Sequence, residues 1–574
     1  NAWYSATPTA IPGMKDEYRN KFLIKRNAEE KPDDHEILIL HQGKYSYYQH
    51  TAYPKKGWEN SFCYLDLLDK EVIDSYLSAL FSFLDKEFGD EFGKTIEAIW
   101  VAEPHIMMGN PSSHDCLPWT PKLDAIFQSE WGYPLIDNIP RLFEDIDDFQ
   151  KVRYHYWRTL SDLVLHSYSE TMQKWCRKYH LKFTGHLMGE DSFVSQLQYS
   201  VNVMPHFEYM DIPGIDHLTM DTYWPTSDPF IFTPKMASSV ANQMGKKEVL
   251  AEMYGCSDSG NSFEDRKRVF QWLAVLGINY RNYHGAFYSL RGMRKRKYPV
   301  NLNYQQPYWG KNKFIADYSA RLSWLLKQGT YKADVLVLNS IESYYPEGKI
   351  ERKLSKTIVP LQRDLIELSH NLLKIHRGFD YGDETILSTY GTIKDGAVAV
   401  KEMAYKVVIL PSVRTLRKTT MELLNKFLDA GGVVISAGDL PDTIEGEPNA
   451  ALNAFNRRLV KIENNLKALQ SGLDKLLPPD ILAEGQLSDM IWVHGRILDN
   501  GQMYYLTNTS REQTIGAKIR IRGTGRLENW NLENGKTETI SQITKGDYIT
   551  TDYRFAPGGS LVLFHNSAEP QKTV

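Results

Sequence analysis

The sequence predicts an α/β protein in three parts: a (β/α)8-type TIM barrel short of its first strands, a flavodoxin-like α/β domain and a carboxyl-terminal β-sandwich. Three observations lead there. From about residue 90 to 290, short apolar runs alternate with long amphipathic stretches, as in parallel βαβ units. The alternation restarts on a smaller scale near residue 333, and helical patterns vanish after about residue 485. The expected domains are 1–328, 329–480 and 481–574 of a 574-residue chain, which is too long for one core.

Taken in order, the opening NAWYSATPTAIPGM reads as a loop, and HEILIL (35–40) is the one good early strand, with helical EVIDSYLSALFSFLDKEF behind it. TIEAIWVAEP starts the regular units and is followed by helical KLDAIFQSEWG and a long helical stretch over 147–179. LKFTGHL, IDHLTMDTYW, KEVLAEMYG and INYRNYHGAF supply four more strands. Five units fit barrel spacing, and closing eight strands takes three more, so the first strands are expected to be missing at the amino terminus. ADVLVLNS (333–340), KVVILPS (406–412) and VVISAG (433–438) are the strands of the second domain. That domain has no GxGxxG after its first strand and no GxxxxGK[ST], which favours a structural or oligomer-forming role over nucleotide binding. IWVHGRIL, MYYLTNT, AKIRIRG and SLVLFHN are short strands at close intervals, as in a sandwich.

Composition excludes several classes. With a net charge of −4 there is no electrostatic case for nucleic acid, and the one basic run, RGMRKRK (291–297), reads as a solvated loop. No apolar run approaches membrane-spanning length. Cys63, Cys116, Cys176 and Cys256 are far apart without CxxC spacing, so neither a zinc site nor a disulfide scaffold is indicated.

The chemistry sits at two strand ends 149 residues apart. Glu103 closes TIEAIWVAE and Glu252 closes KKEVLAE, each at the carboxyl end where a barrel places reactive groups. Paired carboxylates on separate strands are what glycosidic bond cleavage needs. An apolar strand end raises a carboxyl pKa by desolvation, which suits Glu103 as acid. Tyr254 and Arg281 are expected to keep Glu252 ionised as the second carboxylate. The neighbouring strand ends add candidate substrate contacts: His186, Glu190, Asp221, Tyr223, Trp224, Tyr254, Asn279, Arg281 and His284. Asp221 is the rival carboxylate. No metal-ligand spacing, GxSxG or HExxH motif appears.

The segments AEPHI, LPWTPKLDAIFQSEWGY, KFTGHLMGED, EYMDIPGIDHL and RLSWLLKQGTYKADVLVLN are similar to family 106 α-L-rhamnosidase-like bacterial glycosidases. The domain order resembles family 42 β-galactosidases and family 164 β-mannosidases. The resemblance implies an exo-acting glycoside hydrolase that removes a terminal sugar from glycans with retention, Glu103 as acid/base and Glu252 as nucleophile. The alternatives are an inverting α-L-rhamnosidase and an inactive carbohydrate-binding barrel. It further implies no cofactor, or calcium in the rhamnosidase-like case, together with a trimer or dimer and a periplasmic or secreted setting. One departure is Ala102, where those families usually carry Asn or Asp before the acid.

Overall fold

The computed structural model describes residues 2–7, 23–24, 36–37, 39–44, 65–106, 115–223, 228–257, 260–284, 289–292, 302, 304–348 and 359–567. Helix α1, Lys70–Phe88, starts where the Asp69 side chain accepts the Glu71 N–H and buries Ile73, Leu77 and Phe81 at four-residue spacing, one apolar stripe of a surface helix. It leads into the first strand of a parallel arc. That arc consists of β1 (Ala98–Ala102), β2 (Lys182–His186), β3 (Gly214–His217), β4 (Leu250–Met253) and β5 (Tyr280–Tyr283). Pairing runs in chain order, with Ala102 opposite His186, Asp216 opposite Glu252 and Glu252 opposite Asn282. Between β2 and β3 the ladder is reduced to a single bridge, Thr184 to Ile212, with the Thr184 hydroxyl donating to the Ile212 carbonyl and the Phe183 N–H to the Asp211 carboxylate.

Two glycines set how closely the first three strands approach. A Cβ on Gly185, whose φ is +137°, would fall 1.9 Å from the Val101 carbonyl oxygen, and one on Gly214 would fall 2.3 Å from the Gly185 oxygen. The central strands are nearly all buried, whereas β1 is half-exposed throughout and β5 starts exposed. No further strand pairs with either edge among the described residues. The early segment HEILIL does not join the arc. Glu36–Ile37 pairs with Leu23–Ile24, and Ile39–Lys44 pairs antiparallel with Ala2–Thr7. Ala2–Thr7 is therefore a strand, not the expected loop, because it finds partners on both sides in 39–44 and 115–117.

The second sheet consists of β6 (Val335–Leu338), β7 (Phe379–Gly382), β8 (Val407–Leu410), β9 (Val433–Ser436) and β10 (Val460–Lys461). They lie parallel in the order β7-β6-β8-β9-β10, the flavodoxin-like arrangement. The first three are buried along their whole length, as strands covered on both faces must be. This sheet and the arc share one continuous apolar core. Polar ties reinforce the joint. From helix α2 (Phe149–Val164), the Tyr154 hydroxyl donates to Glu342 at 2.6 Å, and the same carboxylate accepts Arg417 Nε at 2.6 Å. Asn202 donates to Asp383 at 2.7 Å. Helix α3 (Phe263–Val275) meets β5 where Arg281 lies over Phe270, and α4 (Pro360–Lys374) meets β7 where the Ser369 and Tyr381 hydroxyls bond at 2.7 Å.

Two antiparallel sheets, one of six strands and one of four, are built from the end of the chain, the six-stranded one taking its edge strand from Thr330–Tyr331. In Ile515–Arg522 buried and solvent-facing residues alternate, the period-two pattern of a sheet with one wet face. No described helix is long and apolar enough to cross a membrane.

Candidate active site

Parallel register fixes which side chains meet at the carboxyl end of the arc. Glu252 and Asp216 occupy paired positions on β4 and β3, and His186 ends β2 beside Ala102, just before Glu103. His186 Nδ1 lies 3.4 Å from one Glu252 oxygen and its Nε2 3.9 Å from Asp216, while His284 Nε2 lies 3.7 Å from the other Glu252 oxygen. Glu103, His186 and Asp216 bring their donor atoms within 4.8 Å of one another. The cluster is well shielded: the His186 side chain is 4% exposed, that of Glu252 13% and that of Asp216 16%.

The electrostatics follow from this crowding. Burial, then Glu252 and Glu103, push the Asp216 carboxyl up to about 8. Burial also raises Glu252, helped by Glu103 and opposed by His284. Burial, then His284, lowers His186 to about 4, so this imidazole is neutral near pH 7. Two buried carboxyls that repel a third cannot all ionise together.

Two of the ten described non-glycine residues with positive φ border the cluster. Glu103 has φ +55° and Tyr254, two residues past Glu252, has φ +74°, a region costly for side chains other than Gly, Asn or Asp. Glu103 is held by its N–H, which donates to the His186 carbonyl at 3.1 Å, and by its carbonyl, 2.8 Å from His105 Nδ1. Gly255 lets His284 approach: a Cβ there would sit 2.7 Å from His284 Cγ and from Leu218 Cδ2.

The structure therefore brings Glu103, Glu252, His186 and His284 together. Other expected contacts stand elsewhere. Glu190 is buried behind β3, where it accepts the Asp216 N–H at 2.6 Å. Tyr254 is fully buried, with its hydroxyl donating to the Arg266 carbonyl at 2.9 Å. Asn279 lies at the amino end of β5, bonded to Val249 N–H and the Lys247 carbonyl. Arg281 bonds the Tyr283 hydroxyl at 2.8 Å and lies over the Phe270 ring of α3. Glu252 is thus pushed up, with His284 the group opposing the shift, instead of being held ionised by Tyr254 and Arg281. Asp221 is exposed on the loop after β3, and Tyr223 is 45% exposed against Trp272. Trp224 lies outside the described residues. Sequence reasoning missed Asp216 and Asn282; the signal for both was their register with Glu252.

Comparisons with known proteins agree on carbohydrate chemistry. Residues 57–544 match the model of the glycoside hydrolase 106 family, described as α-L-rhamnosidase. A Formosa agariphila protein, provisionally named a β-glucuronidase, is 22% identical over 498 residues, which cover 82% of this chain and 38% of that protein. A rhamnosidase structure from Novosphingobium sp. PP1Y superposes with TM-score 0.69 at 20% identity over 91% of this chain and 50% of that one. Gan42B, a family 42 β-galactosidase from G. stearothermophilus, gives 0.59 at 10% identity over 87% and 82%. The chain thus spans half or less of the length of the first two relatives.

Proposed function

Because the chain belongs to the α-L-rhamnosidase family, glycoside hydrolase family 106, we propose that it is an exo-acting hydrolase that releases terminal α-L-rhamnose from glycans with inversion. Glu103 protonates the departing glycosidic oxygen. Glu252 takes a proton from the water that attacks the anomeric carbon from the opposite face, as acid and base do in inverting enzymes. The observation that carries this reading is geometric: Glu103, His186 and Asp216 bring their donor atoms within 4.8 Å of one another, and the same imidazole lies 3.4 Å from Glu252, which supports both glutamates bordering one cleft. Burial raises Glu252 above the usual carboxylate range, and a carboxylate of raised pKa is the stronger proton acceptor. The imidazoles of His186 and His284 flank Glu252 and are suited to bond sugar hydroxyls.

Calcium fits this site in part. Donor atoms 4.8 Å apart or closer match two ligands on one ion at about 2.4 Å each. Glu103 and Asp216 are the oxygen donors calcium prefers, while the His186 nitrogen suits a transition metal better. Such an ion would relieve carboxylate repulsion and orient sugar hydroxyls.

The test is turnover of 4-nitrophenyl glycosides, with α-L-rhamnopyranoside expected as the best substrate, and proton NMR of the first-formed sugar. Release of the β anomer supports inversion, and release of the α anomer rejects it. Glu103→Gln and Glu252→Gln are each expected to lower kcat by about 10³-fold or more without lowering the thermal midpoint. Loss of folding in both would mean structural carboxylates.

A further inference from the structure

The carboxyl of Glu190 is buried. Its Oε1 accepts the Asp216 N–H at 2.6 Å, and its Oε2 is buried without a partner. The place of that bond in the fold is informative. Between β2 and β3 the ladder is reduced to one bridge, so the Asp216 N–H finds its acceptor in a side chain instead of in a neighbouring strand. Asp216 also lies beside Glu103 and in register with Glu252, so the height of β3 sets where its carboxyl meets them.

The loop that carries Glu190 is itself gripped. Gln196 Nε2 donates to the Glu190 carbonyl at 3.1 Å, and a Cβ on Gly189, with φ +73°, would strike the Ser195 carbonyl at 2.7 Å. From the second domain, Gln362 on α4 uses both ends of its fully buried amide. Its oxygen accepts the Phe193 N–H at 2.9 Å and its nitrogen donates to the Asp191 carbonyl at 3.0 Å. The two bonded residues bracket the turn immediately after Glu190.

Resting on the function proposed above, we infer that Glu190 is a positioning residue: it holds β3 at the height where Asp216 meets the two glutamates, and the second domain holds Glu190 through Gln362. The flavodoxin-like domain is then part of the active site's support, acting through one amide. Displacing a catalytic group by a fraction of an ångström is enough to slow chemistry without weakening binding.

The test uses the full chain carrying Glu190→Gln, Glu190→Leu, Gln362→Leu or both leucines, with 4-nitrophenyl α-L-rhamnopyranoside as probe. Glu190→Gln keeps the acceptor and is expected to stay within about 3-fold of wild type, while Glu190→Leu loses about 10- to 100-fold in kcat at little changed KM. Gln362→Leu is expected to lose about 5- to 10-fold, with the double variant no worse than Glu190→Leu, because coupled residues do not add. Full activity in Glu190→Leu, equal damage in Glu190→Gln, or losses that multiply would overturn the inference. Hydrogen exchange over residues 214–217 gives a readout independent of turnover. Both leucine variants should speed it about 10-fold or more and Glu190→Gln should not; unchanged exchange rejects the positioning role. An inactive wild type with these exchange changes would reject the functional reading and leave the positioning role standing.

Discussion

Replacing Asp216 with asparagine is expected to stabilise the protein at neutral pH and not in acid. Burial, Glu252 and Glu103 move this carboxyl from 3.8 to about 8. Between those values the folded protein holds a proton that the unfolded chain has released, so stability is complete below the lower value and drains away as pH rises toward the upper one. Each pH unit in that window removes about 1.4 kcal/mol. From 3.8 to pH 7 the loss comes to about 4 kcal/mol. Water at the 16% of the side chain that is exposed, together with local relaxation, reduces it toward about 2 kcal/mol. Asparagine keeps the shape and cannot ionise. Urea unfolding at pH 4 and pH 7, with a chelator so that no divalent ion offsets the charge, should show the variant about 2 to 4 kcal/mol more stable at pH 7 and level with wild type at pH 4. A variant no more stable than wild type at pH 7 would refute the account of a crowded, buried carboxyl.

Three further outcomes are expected. Gly255→Ala places a methyl 2.7 Å from His284 Cγ and should lower kcat/KM by about 10-fold or more by moving the imidazole off Glu252, as initial-rate kinetics will show. Arg417→Met strips Glu342 of its guanidinium in a site where both side chains are at most 3% exposed. Leaving one buried charge unpaired should cost about 3 to 5 kcal/mol in denaturant titration. Calcium should raise the thermal midpoint of the wild type and leave that of Asp216→Asn unmoved if Glu103, His186 and Asp216 hold an ion; equal shifts in both would exclude the trio.

Much of this was legible in the sequence because buried parallel strands are short apolar runs. IWVA, KFTGH, LAEM and YRNY stand where the runs placed them. Strand phase was harder. IDHLTMDTYW reads as one strand ending near Asp221, yet pairing with β4 ends it at His217, and it is Asp216 that faces inward. In INYRNYHG a one-residue choice of phase sends Arg281 toward the helices and aligns Asn282 with Glu252. A slip of one exchanges the two faces of a strand, and nothing local in either sequence decides it. Ala2–Thr7 was unreadable for a related reason: its strand depends on partners at 39–44 and 115–117, not on its own composition.

Two strained residues, Glu103 and Tyr254, border the crowded carboxyls of the arc, and that predicts a pattern across substitutions. Glu103 and Tyr254 each hold a backbone conformation costing about 1 to 3 kcal/mol, and the carboxyls beside them repel one another. The buried groups at the domain joint are matched instead, Glu342 with Arg417 and Tyr154, and Asp383 with Asn202. Substitutions in the cleft should therefore trade activity for stability, as sites under functional strain do, whereas those at the joint should lose stability. Kinetics should change at the joint only where a bond reaches the cleft, as it does from Gln362 through the loop of Glu190. If cleft substitutions proved as destabilising as those at the joint, the strained backbone and crowded carboxyls would be features of the fold alone, with no link to chemistry.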